Sequence, residues 1–439
     1  MSDGRRGEGP GELNRPQQSD LDHRGRPIVA VTGIGLVTPL GFGVAANWAA
    51  LLAGTSGIRR ITRFPTDHLR TTIAGTVDLP EEADGPALTA TPRVARMAAM
   101  AAEEALAEAG LGGGDFPGPL MLGMPPVEVE WPHRFELARR VAPEPVAYKA
   151  LTLAATGWPT LYETAAFQTV GEQLAARFGT RGSPVSVTTA CATGASAIQL
   201  GVEAIQRGET EAALAIGADG TVQPEALIRF SLLSALSTRN DDPTGASRPF
   251  EKNRGGFVMS EGAACLVLES LSHARARGAS ILGVVRGAGE KSDSFHRTRS
   301  NPDGSAVIRA MRNAIEDAGL TPAEISYVNA HGTGTPENDK MENLAMRAVF
   351  GEAAPPISSN KSMIGHTLSA SGAIEAAFSL LAIRDQMLPP TINHLEPDPA
   401  ITLDVVPNVS RAAKVGNVLS NSFGFGGQNV CLVLSGEPT

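Results

Sequence analysis

The sequence has few aromatic residues, few cysteines and no long apolar run. Aromatic residues make up 5% of the 439 positions, and the 3 cysteines lack CxxC spacing, which argues against a disulfide framework or a structural zinc site. No apolar stretch reaches the roughly 18 residues that a membrane span needs, and no apolar signal segment opens the chain. The net charge of −9 disfavours a general nucleic-acid binder. These absences predict a cytoplasmic protein without a transmembrane segment.

Small residues and turn formers are abundant instead. The chain contains 48 glycines and 31 prolines, and 42% of its residues are hydrophobic, so it can bury a large core connected by tight loops. Residues 1–26 differ, because they contain few apolar side chains and equal numbers of acids and arginines. Such a segment cannot offset its ordering entropy, so we predict a disordered tail there.

Apolar strand-like runs alternate with helical patterns over the rest of the chain. After "SPVSVTTA", for example, Ala195, Ile198 and Val202 recur at helical spacing. The alternation restarts near residue 281 without a low-complexity linker, which divides the chain into an N-terminal half, 27–275, and a C-terminal half, 276–439. This pattern predicts an α/β fold with two similar halves and largely parallel sheets covered by helices. The opening "GIG" lacks the third glycine of a dinucleotide fingerprint, so nucleotide binding is disfavoured.

One cysteine stands apart from the other two. Cys191 lies in "TTACATGA", where a strand-like run ends and a helical pattern begins. A thiol at a helix N-terminus is close to the positive end of the helix dipole and to unpaired N–H groups, both of which favour the thiolate. Cys265 and Cys431 lie inside apolar strand-like runs and fit ordinary core residues. Cys191 is therefore the candidate nucleophile, and a buried structural cysteine is the alternative.

Two motifs in the second half supply basic side chains. "HGTGTPEND" places His331 on a glycine loop beside the hydroxyls of Thr333 and Thr335. The alternative for this loop is a structural turn that Asn338 or Asp339 caps.

The second motif, "SNKSMIGHTLSASGAIE", contains Lys361, His366 and Glu375. Lys361 and Glu375 are too far apart in sequence for one helical face, so any pairing between them is tertiary. Taken alone, Lys361 could be a solvated surface charge.

The last motif, "NSFGFGGQN", places Phe423 and Phe425 among glycines. Such a loop can expose backbone N–H groups for an oxyanion hole, and its alternative is a tight turn with both rings in the core. Together the motifs offer a nucleophilic sulfur, two imidazoles, an ammonium group, a threonine-lined loop and a hinged aromatic ring. That set suits acyl transfer to sulfur followed by carbon–carbon bond formation.

The four motifs resemble the signatures of β-ketoacyl-acyl carrier protein synthases of the type II elongating class. The resemblance extends from about Ile28 to Leu434. It implies a thiolase-like fold, with two similar halves in five αβαβα layers, and normally a homodimer. The implied activity is a 3-oxoacyl-acyl carrier protein synthase: decarboxylative condensation of malonyl-carrier protein with an acyl group on Cys191, which lengthens fatty acyl chains by two carbons. The implied partner is an acyl carrier protein, and no metal or other cofactor is expected.

The resemblance also assigns roles to individual positions. Catalytic roles fall on Cys191, His331, His366, Lys361 and Glu375. Substrate contacts fall on Thr333, Thr335, Phe423, Phe425 and Phe230. The N–H groups of Cys191 and Phe425 match the family's oxyanion hole. Arg93 and Arg96, on an early helix, are the expected docking residues for an acidic carrier protein.

The chain departs from the family pattern in a few places. "LGMPPVEVEWP", with Pro125 and Pro126, replaces a glycine-rich stretch in a region that lines the acyl tunnel and the dimer interface of relatives. Gly255 replaces an acidic residue, and Ser234 replaces a carrier-docking arginine. The pattern is similar to a divergent subgroup associated with very-long-chain acyl groups, so the acyl length stays open.

The same residues bear on several alternatives. Non-catalytic chain-length factors typically lose the cysteine, whereas Cys191, His331 and His366 are all present. The active subunit of a heterodimer with a related ketosynthase, or a polyketide-type ketosynthase, stays open. A thiolase usually has a second cysteine on the last glycine loop, and starter enzymes tend to have asparagine in place of His366. A serine hydrolase is disfavoured because "GASA" lacks the G-x-S-x-G elbow.

Overall fold

The computed structural model describes residues 18–80, 89–141, 148–159, 161 and 165–438. The strands are β1 (Val29–Thr38), β2 (Gly41–Phe42), β3 (Ile58–Arg60), β4 (Ile73–Gly75), β5 (Leu120–Gly123), β6 (Val185–Val187), β7 (Ala212–Asp219), β8 (Gly262–Ser270), β9 (Gly283–Ser292), β10 (Ile325–Asn329), β11 (Ile357–Ser358), β12 (Met387–Leu388), β13 (Arg411–Ala412), β14 (Asn417–Phe423) and β15 (Gln428–Ser435). The helices are α1 (Val44–Leu52), α2 (Ala90–Glu108), α3 (Trp131–Arg140), α4 (Tyr148–Thr156), α5 (Thr169–Phe178), α6 (Thr193–Gln206), α7 (Pro224–Leu232), α8 (Leu271–Ala276), α9 (Ser305–Asp317), α10 (Pro336–Phe350), α11 (Lys361–Ile364) and α12 (Ser371–Asp385).

The strands form two equivalent groups. Their order is β6-β5-β7-β8-β1 in the first half and β11-β10-β14-β15-β9 in the second, and β1 joins β9 through a short antiparallel contact. Within each group the first three strands of this order pair in parallel and the fifth runs in the same direction, but β8 and β15 run antiparallel to both neighbours. The expectation of largely parallel sheets was therefore only partly right. In the second half the reason is local: β15 follows β14 through residues 424–427, and such a hairpin makes neighbours antiparallel.

The helices complete five layers. α6 and α12 share one apolar cluster with the inner faces of both sheets, which includes Ile198, Val202, Leu381 and Leu432. A second cluster joins α2 and α5 to the outer face of the first sheet, and a third joins α9 and α10 to the outer face of the second. The predicted thiolase-like arrangement in αβαβα layers is confirmed. None of the described helices combines the length and apolarity that crossing a bilayer requires.

The predicted disordered tail covers residues 1–26, and the structure describes only part of it. Residues 1–17 lie outside the described residues, but residues 18–26 pack against the body of the protein. The Asp22 carboxylate accepts the backbone N–H groups of Arg24 and Arg26, each at 2.8 Å, and both guanidinium groups pair with Asp317. Disorder was therefore the wrong prediction for 18–26, because turn hydrogen bonds and ion pairs hold this segment in place of apolar burial.

Two glycines allow α2 to lie directly on the backbone of β1. A Cβ atom at Gly35 would lie 1.8 Å from the carbonyl oxygen of Ala101, and one at Gly33 would lie 2.0 Å from that of Ala105. Both obstacles are backbone atoms, so neither can move without displacing the helix. The stability of the outer helical layer therefore depends on these glycines.

Gly35→Ala should lower the free energy of unfolding by about 1–3 kcal/mol or more, because the added methyl group overpacks a backbone contact. Urea unfolding monitored by circular dichroism measures the effect. Gly112→Ala is the matched control, since nothing lies within 4 Å of a Cβ atom there. Equal stability of the two variants would contradict this packing argument.

Candidate active site

The candidate residues lie on loops that follow strands at one edge of the sheets. Cys191 lies between β6 and α6, His331 follows β10, and His366 lies between β11 and α12. β6 and β11 are the outermost strands of the two equivalent groups, so Cys191 and His366 come from matching connections of the two halves. Because the carboxyl ends of parallel strands meet at one edge, these loops can converge there.

The inner helices bring the two loops into contact. α6 and α12 cross near their N-termini, where a Cβ atom at Gly194 would lie 2.7 Å from the backbone nitrogen of Ala373. The reciprocal contact has the same form, since a Cβ atom at Gly372 would lie 2.6 Å from the nitrogen of Ala195. Small residues at the crossing therefore set the distance between the Cys191 and His366 loops.

The predicted nucleophile and both histidines form one buried cluster. The sulfur of Cys191 and a ring nitrogen of each of His331 and His366 all lie within 4.8 Å of one another. The two imidazole rings are nearly perpendicular, with centroids 5.3 Å apart. Phe423 packs against His331 and Phe257 against His366. Such a set could also ligate a metal ion, and the expectation that none is needed stays a prediction.

Both imidazoles are held in the uncharged form. Burial lowers the pKa of His331 and of His366 well below 6.5, and the positive charge of Lys361 lowers both pKa values further. The Nδ1 atom of His366 accepts the N–H of Leu368 at 3.2 Å, which leaves its Nε2 to carry the ring proton. At neutral pH His366 is therefore a neutral hydrogen-bond donor.

The Cys191 thiol is protonated in this state. Burial raises its pKa to about 11, although the Phe425 N–H and the charge of Lys361 act in the opposite direction. Burial therefore opposes the thiolate that the helix end was expected to favour. The thiol must therefore lose its proton during the reaction itself.

Lys361 and Glu375 form the tertiary pair that the sequence left open. The Lys361 ammonium group donates to the Glu375 carboxylate, and both side chains are buried, which rules out the surface alternative for Lys361. Burial raises the pKa of Glu375 to about 7, and Lys361 opposes that rise. The pair keeps a positive charge close to the imidazoles without exposing it to solvent.

A second carboxylate, Glu342, was not singled out from the sequence. Its oxygens accept the backbone N–H groups of His331 at 2.9 Å and of Gly332 at 2.8 Å, and the side-chain amide of Asn421 at 3.0 Å. It therefore fixes the backbone of the His331 loop. The available signal was the pair Asp339 and Glu342, three residues apart and both buried on one face of α10.

The threonine loop also begins α10. The hydroxyl groups of Thr333 and Thr335 lie 2.9 Å apart, and the Thr335 hydroxyl accepts the N–H of Asn338 as the helix cap. The capping alternative was thus partly right: Asp339 accepts the N–H of Gly334 within the turn at 3.2 Å, but Thr335 rather than Asn338 caps the helix.

Two cavities meet at the sulfur. The first, the entrance cavity, has a volume of about 360 Å³ and is lined by His331, Thr333, Thr335 and His366. The second, the inner cavity, has a volume of about 530 Å³ and is lined by Met124, Pro125, Val127 and Ala226. Both are lined by Cys191, Phe230, Leu233, Leu368 and Phe425. The arrangement can accept a thioester from one side and place its acyl chain on the other.

The two phenylalanines of the last motif have different surroundings. Phe423 belongs to the apolar cluster of the second half and also lines the entrance cavity. Phe425 lies between the two cavities, and its backbone N–H acts to lower the pKa of the Cys191 thiol. Ser234 and Gly255, where the chain departs from the family pattern, both line the entrance cavity.

The predicted docking arginine Arg93 is not at the surface. It is wholly buried, and its guanidinium group binds the Glu261 carboxylate at 2.7 Å and the carbonyl oxygen of Val77 at 2.6 Å. Arg93 lies one helical turn before Met97 on the apolar face of α2, so it points into the protein. Arg96 is partly exposed and lines a separate groove.

Sequence reasoning missed two residues at the entrance cavity. His296 and Arg299 are exposed and line that cavity.

Comparisons with known proteins agree with this geometry. The β-ketoacyl synthase N-terminal domain matches residues 27–274, and the β-ketoacyl synthase C-terminal domain matches residues 282–395. The chain is 38% identical over 420 residues to 3-oxoacyl-[acyl-carrier-protein] synthase 2 of Coxiella burnetii, covering 93% of this chain and 98% of that protein.

Solved structures show the same likeness. The ishigamide ketosynthase/chain length factor superposes with a TM-score of 0.81 at 34% identity. The AntDE:AntF complex, a type II PKS acyl-carrier protein with its ketosynthase, gives 0.82 at 30%. Each match covers 94% of this chain and 100% of the other. The chain therefore belongs to the β-ketoacyl synthase family, and it is an acyltransferase of that family.

The neutral histidines predict a pH dependence of stability. Since burial lowers both pKa values, only the unfolded chain takes up these protons as the pH falls below about 6.5. The free energy of unfolding should therefore decrease with falling pH, by up to about 1.4 kcal/mol per pH unit for each histidine. Urea unfolding between about pH 5 and pH 7 measures the slope. His366→Gln should reduce the dependence of the unfolding free energy on pH, whereas His68→Gln, which alters an exposed histidine, should change it less. An equal pH dependence in the two variants would contradict the assignment of His366 as a buried neutral imidazole.

Proposed function

We propose that this protein is a 3-oxoacyl-acyl carrier protein synthase that condenses malonyl-carrier protein with an acyl group held on Cys191. The observation that carries the proposal is the buried cluster of one thiol and two uncharged imidazoles where two cavities meet. The inner cavity offers space for an acyl chain and the entrance cavity for a thioester arm. Catalytic roles are assigned to Cys191, His331, His366, Lys361 and Glu375.

The first half-reaction transfers the acyl group to sulfur. The Cys191 sulfur attacks the thioester carbonyl, a carbon–sulfur bond forms, and the bond to the carrier's thiol breaks. The Cys191 proton is passed on to the departing thiolate, so no net charge is left in the buried site. The oxyanion accepts hydrogen bonds from the Phe425 and Cys191 N–H groups in this proposal, which is supported by the effect of the Phe425 N–H on the pKa of the Cys191 thiol.

The second half-reaction forms the carbon–carbon bond. The malonyl thioester loses carbon dioxide, and the resulting enolate oxygen accepts hydrogen bonds from His331 and His366. Neutral donors suit this task, because they stabilise the developing charge without giving up a proton to the carbon that must react. The enolate carbon then attacks the acyl carbonyl, the bond to the Cys191 sulfur breaks, and the released thiolate takes up the one proton that the net reaction consumes from solvent. Lys361, paired with Glu375, keeps the imidazoles uncharged.

The carrier protein is proposed to approach at Arg299 in place of Arg93. Arg299 and His296 are exposed at the entrance cavity, and no ion pair of Arg299 is present in the part of the chain that the structure describes. An exposed cation at this mouth can meet the phosphate of the carrier's arm or acidic residues of the carrier. The AntDE:AntF complex, a relative bound to its carrier protein, supports binding of this kind.

The subunit arrangement is also a proposal. We assign residues 27–275 and 276–439 to the two halves and expect a homodimer. A heterodimer is the second candidate, because the ishigamide ketosynthase/chain length factor is among the structural relatives. Light scattering of the purified chain with assay of its product separates the two: an active particle of twice the single-chain mass supports the homodimer, and a chain that becomes active only with a related ketosynthase supports the heterodimer. A cytoplasmic location, a very-long-chain substrate and the lack of a cofactor stay predictions.

Cys191→Ala should abolish condensation, because no other described thiol lines either cavity. His366→Ala should retain acylation of Cys191 but lose decarboxylation by about 10²-fold or more, since one enolate donor is removed. Intact-mass analysis measures the first half-reaction and carbon dioxide release the second. Condensation by the cysteine variant, or normal decarboxylation by the histidine variant, would contradict the assigned roles.

Arg299→Glu should lower kcat/KM with acyl-carrier protein by about tenfold at low salt, because it reverses a charge at the docking mouth. Its activity with a small acyl thioester that has neither carrier nor phosphate should be unchanged. Arg309→Glu, at an exposed position of α9, is the matched control. If both variants lose activity equally, or if the small substrate is affected as much as the carrier, Arg299 does not dock the carrier.

A further inference from the structure

Residues Met124–Glu130, here called the strap, run from the end of β5 along the inner cavity. The strap leaves the sheet beside the Cys191 loop, since β5 and β6 are parallel neighbours and the Met124 N–H donates to the carbonyl oxygen of Val187 at 3.1 Å. Pro125 and Pro126 restrict its backbone and remove two N–H donors. Strap residues and Cys191 therefore line the same cavity.

Three contacts made by acidic side chains fasten the strap and the residue after it. The Glu130 carboxylate accepts the N–H of Ala90, at the start of α2, at 2.8 and 3.0 Å. The backbone N–H of Trp131 donates to Glu225 on α7 at 2.9 Å. The third contact is between two side chains. The Glu128 carboxylate pairs with both terminal nitrogens of the Arg229 guanidinium group on α7.

The Glu128–Arg229 pair connects two walls of the inner cavity. The strap forms one wall and α7 the other, and both charged residues line the cavity together with apolar neighbours such as Pro125, Val127 and Ala226. Both side chains are partly exposed, so an apolar chain that extends past the pair must separate or partly desolvate two charges at a modest cost, and it gains no further apolar burial there. A methylene group that stops short of the pair gains burial without that cost.

We propose that the Glu128–Arg229 pair closes the inner cavity and sets the longest acyl chain that Cys191 accepts. This inference rests on the proposed function, because it assigns the inner cavity to the acyl group. It makes Glu128 and Arg229 determinants of specificity, not catalytic residues. The Glu130 contact holds the strap in position when the pair is broken.

The test is a chain-length profile of Cys191 acylation. The full-length protein is incubated with a series of saturated acyl-carrier proteins, and intact-mass analysis gives the rate of adduct formation for each length. In the wild type the rate should rise up to a limiting length and then fall. In Glu128→Gln, which removes the charge with little change of volume, the rise should continue for at least about two more methylene groups, at about fourfold for each group buried.

Arg229→Ala should shift the limit in the same direction. The double variant Glu128→Arg/Arg229→Glu should restore the wild-type limit, since the pair is re-formed with reversed polarity. Arg207→Ala is the matched control, because Arg207 is 53% exposed like Arg229 and pairs with Glu209 at a surface site. An unchanged limit in Glu128→Gln, or an equal shift in Arg207→Ala, would overturn the inference.

Failure of the proposed function and failure of the role given to the Glu128–Arg229 pair can be told apart. If the protein does not carry acyl groups on Cys191, the wild type forms no adduct at any chain length and Cys191→Ala behaves identically. If only the role of the pair is wrong, adducts form on Cys191 in every variant and their length profiles coincide.

Discussion

The close crossing of α6 and α12 is the constraint on which the site depends. Each helix presents a glycine to the backbone of the other, at Gly194 and Gly372, so the axes approach more closely than larger side chains allow. Both helices begin near the crossing, and the loops before them carry Cys191 and His366. The duplicated fold thus assembles one reactive centre from matching connections of its two halves, with His331 added from the strand β10.

Burial gives this centre its electrostatic character. It raises the pKa of the Cys191 thiol and lowers the pKa of both imidazoles, so the three reactive groups are uncharged in the free site. The positive charge that the site keeps is on Lys361, which Glu375 partners within the core. A site built in this way holds little charge of its own, and its N–H groups can respond to charge that develops on the substrate.

Much of the site could be predicted because its residues lie in short motifs with a characteristic order, as for Cys191 and His331. Long-range partners could not be predicted in the same way. Arg93 is tolerated on an apolar helix face only because Glu261, distant in sequence, meets it in the core. The raised pKa of Cys191 likewise reflects burial by several separate elements, whereas the sequence shows only its position before a helix. The antiparallel course of β8 depends on sheet order, which alternation alone does not specify.

The most direct measurement is a single turnover with an acyl-carrier protein and malonyl-carrier protein labelled with carbon-13. Peptide-level mass spectrometry before malonyl addition should locate the acyl group on Cys191, and the product should then contain two labelled carbons for each carbon dioxide released. An acyl group on Cys265 or Cys431, or release of carbon dioxide without a longer product, would contradict the account.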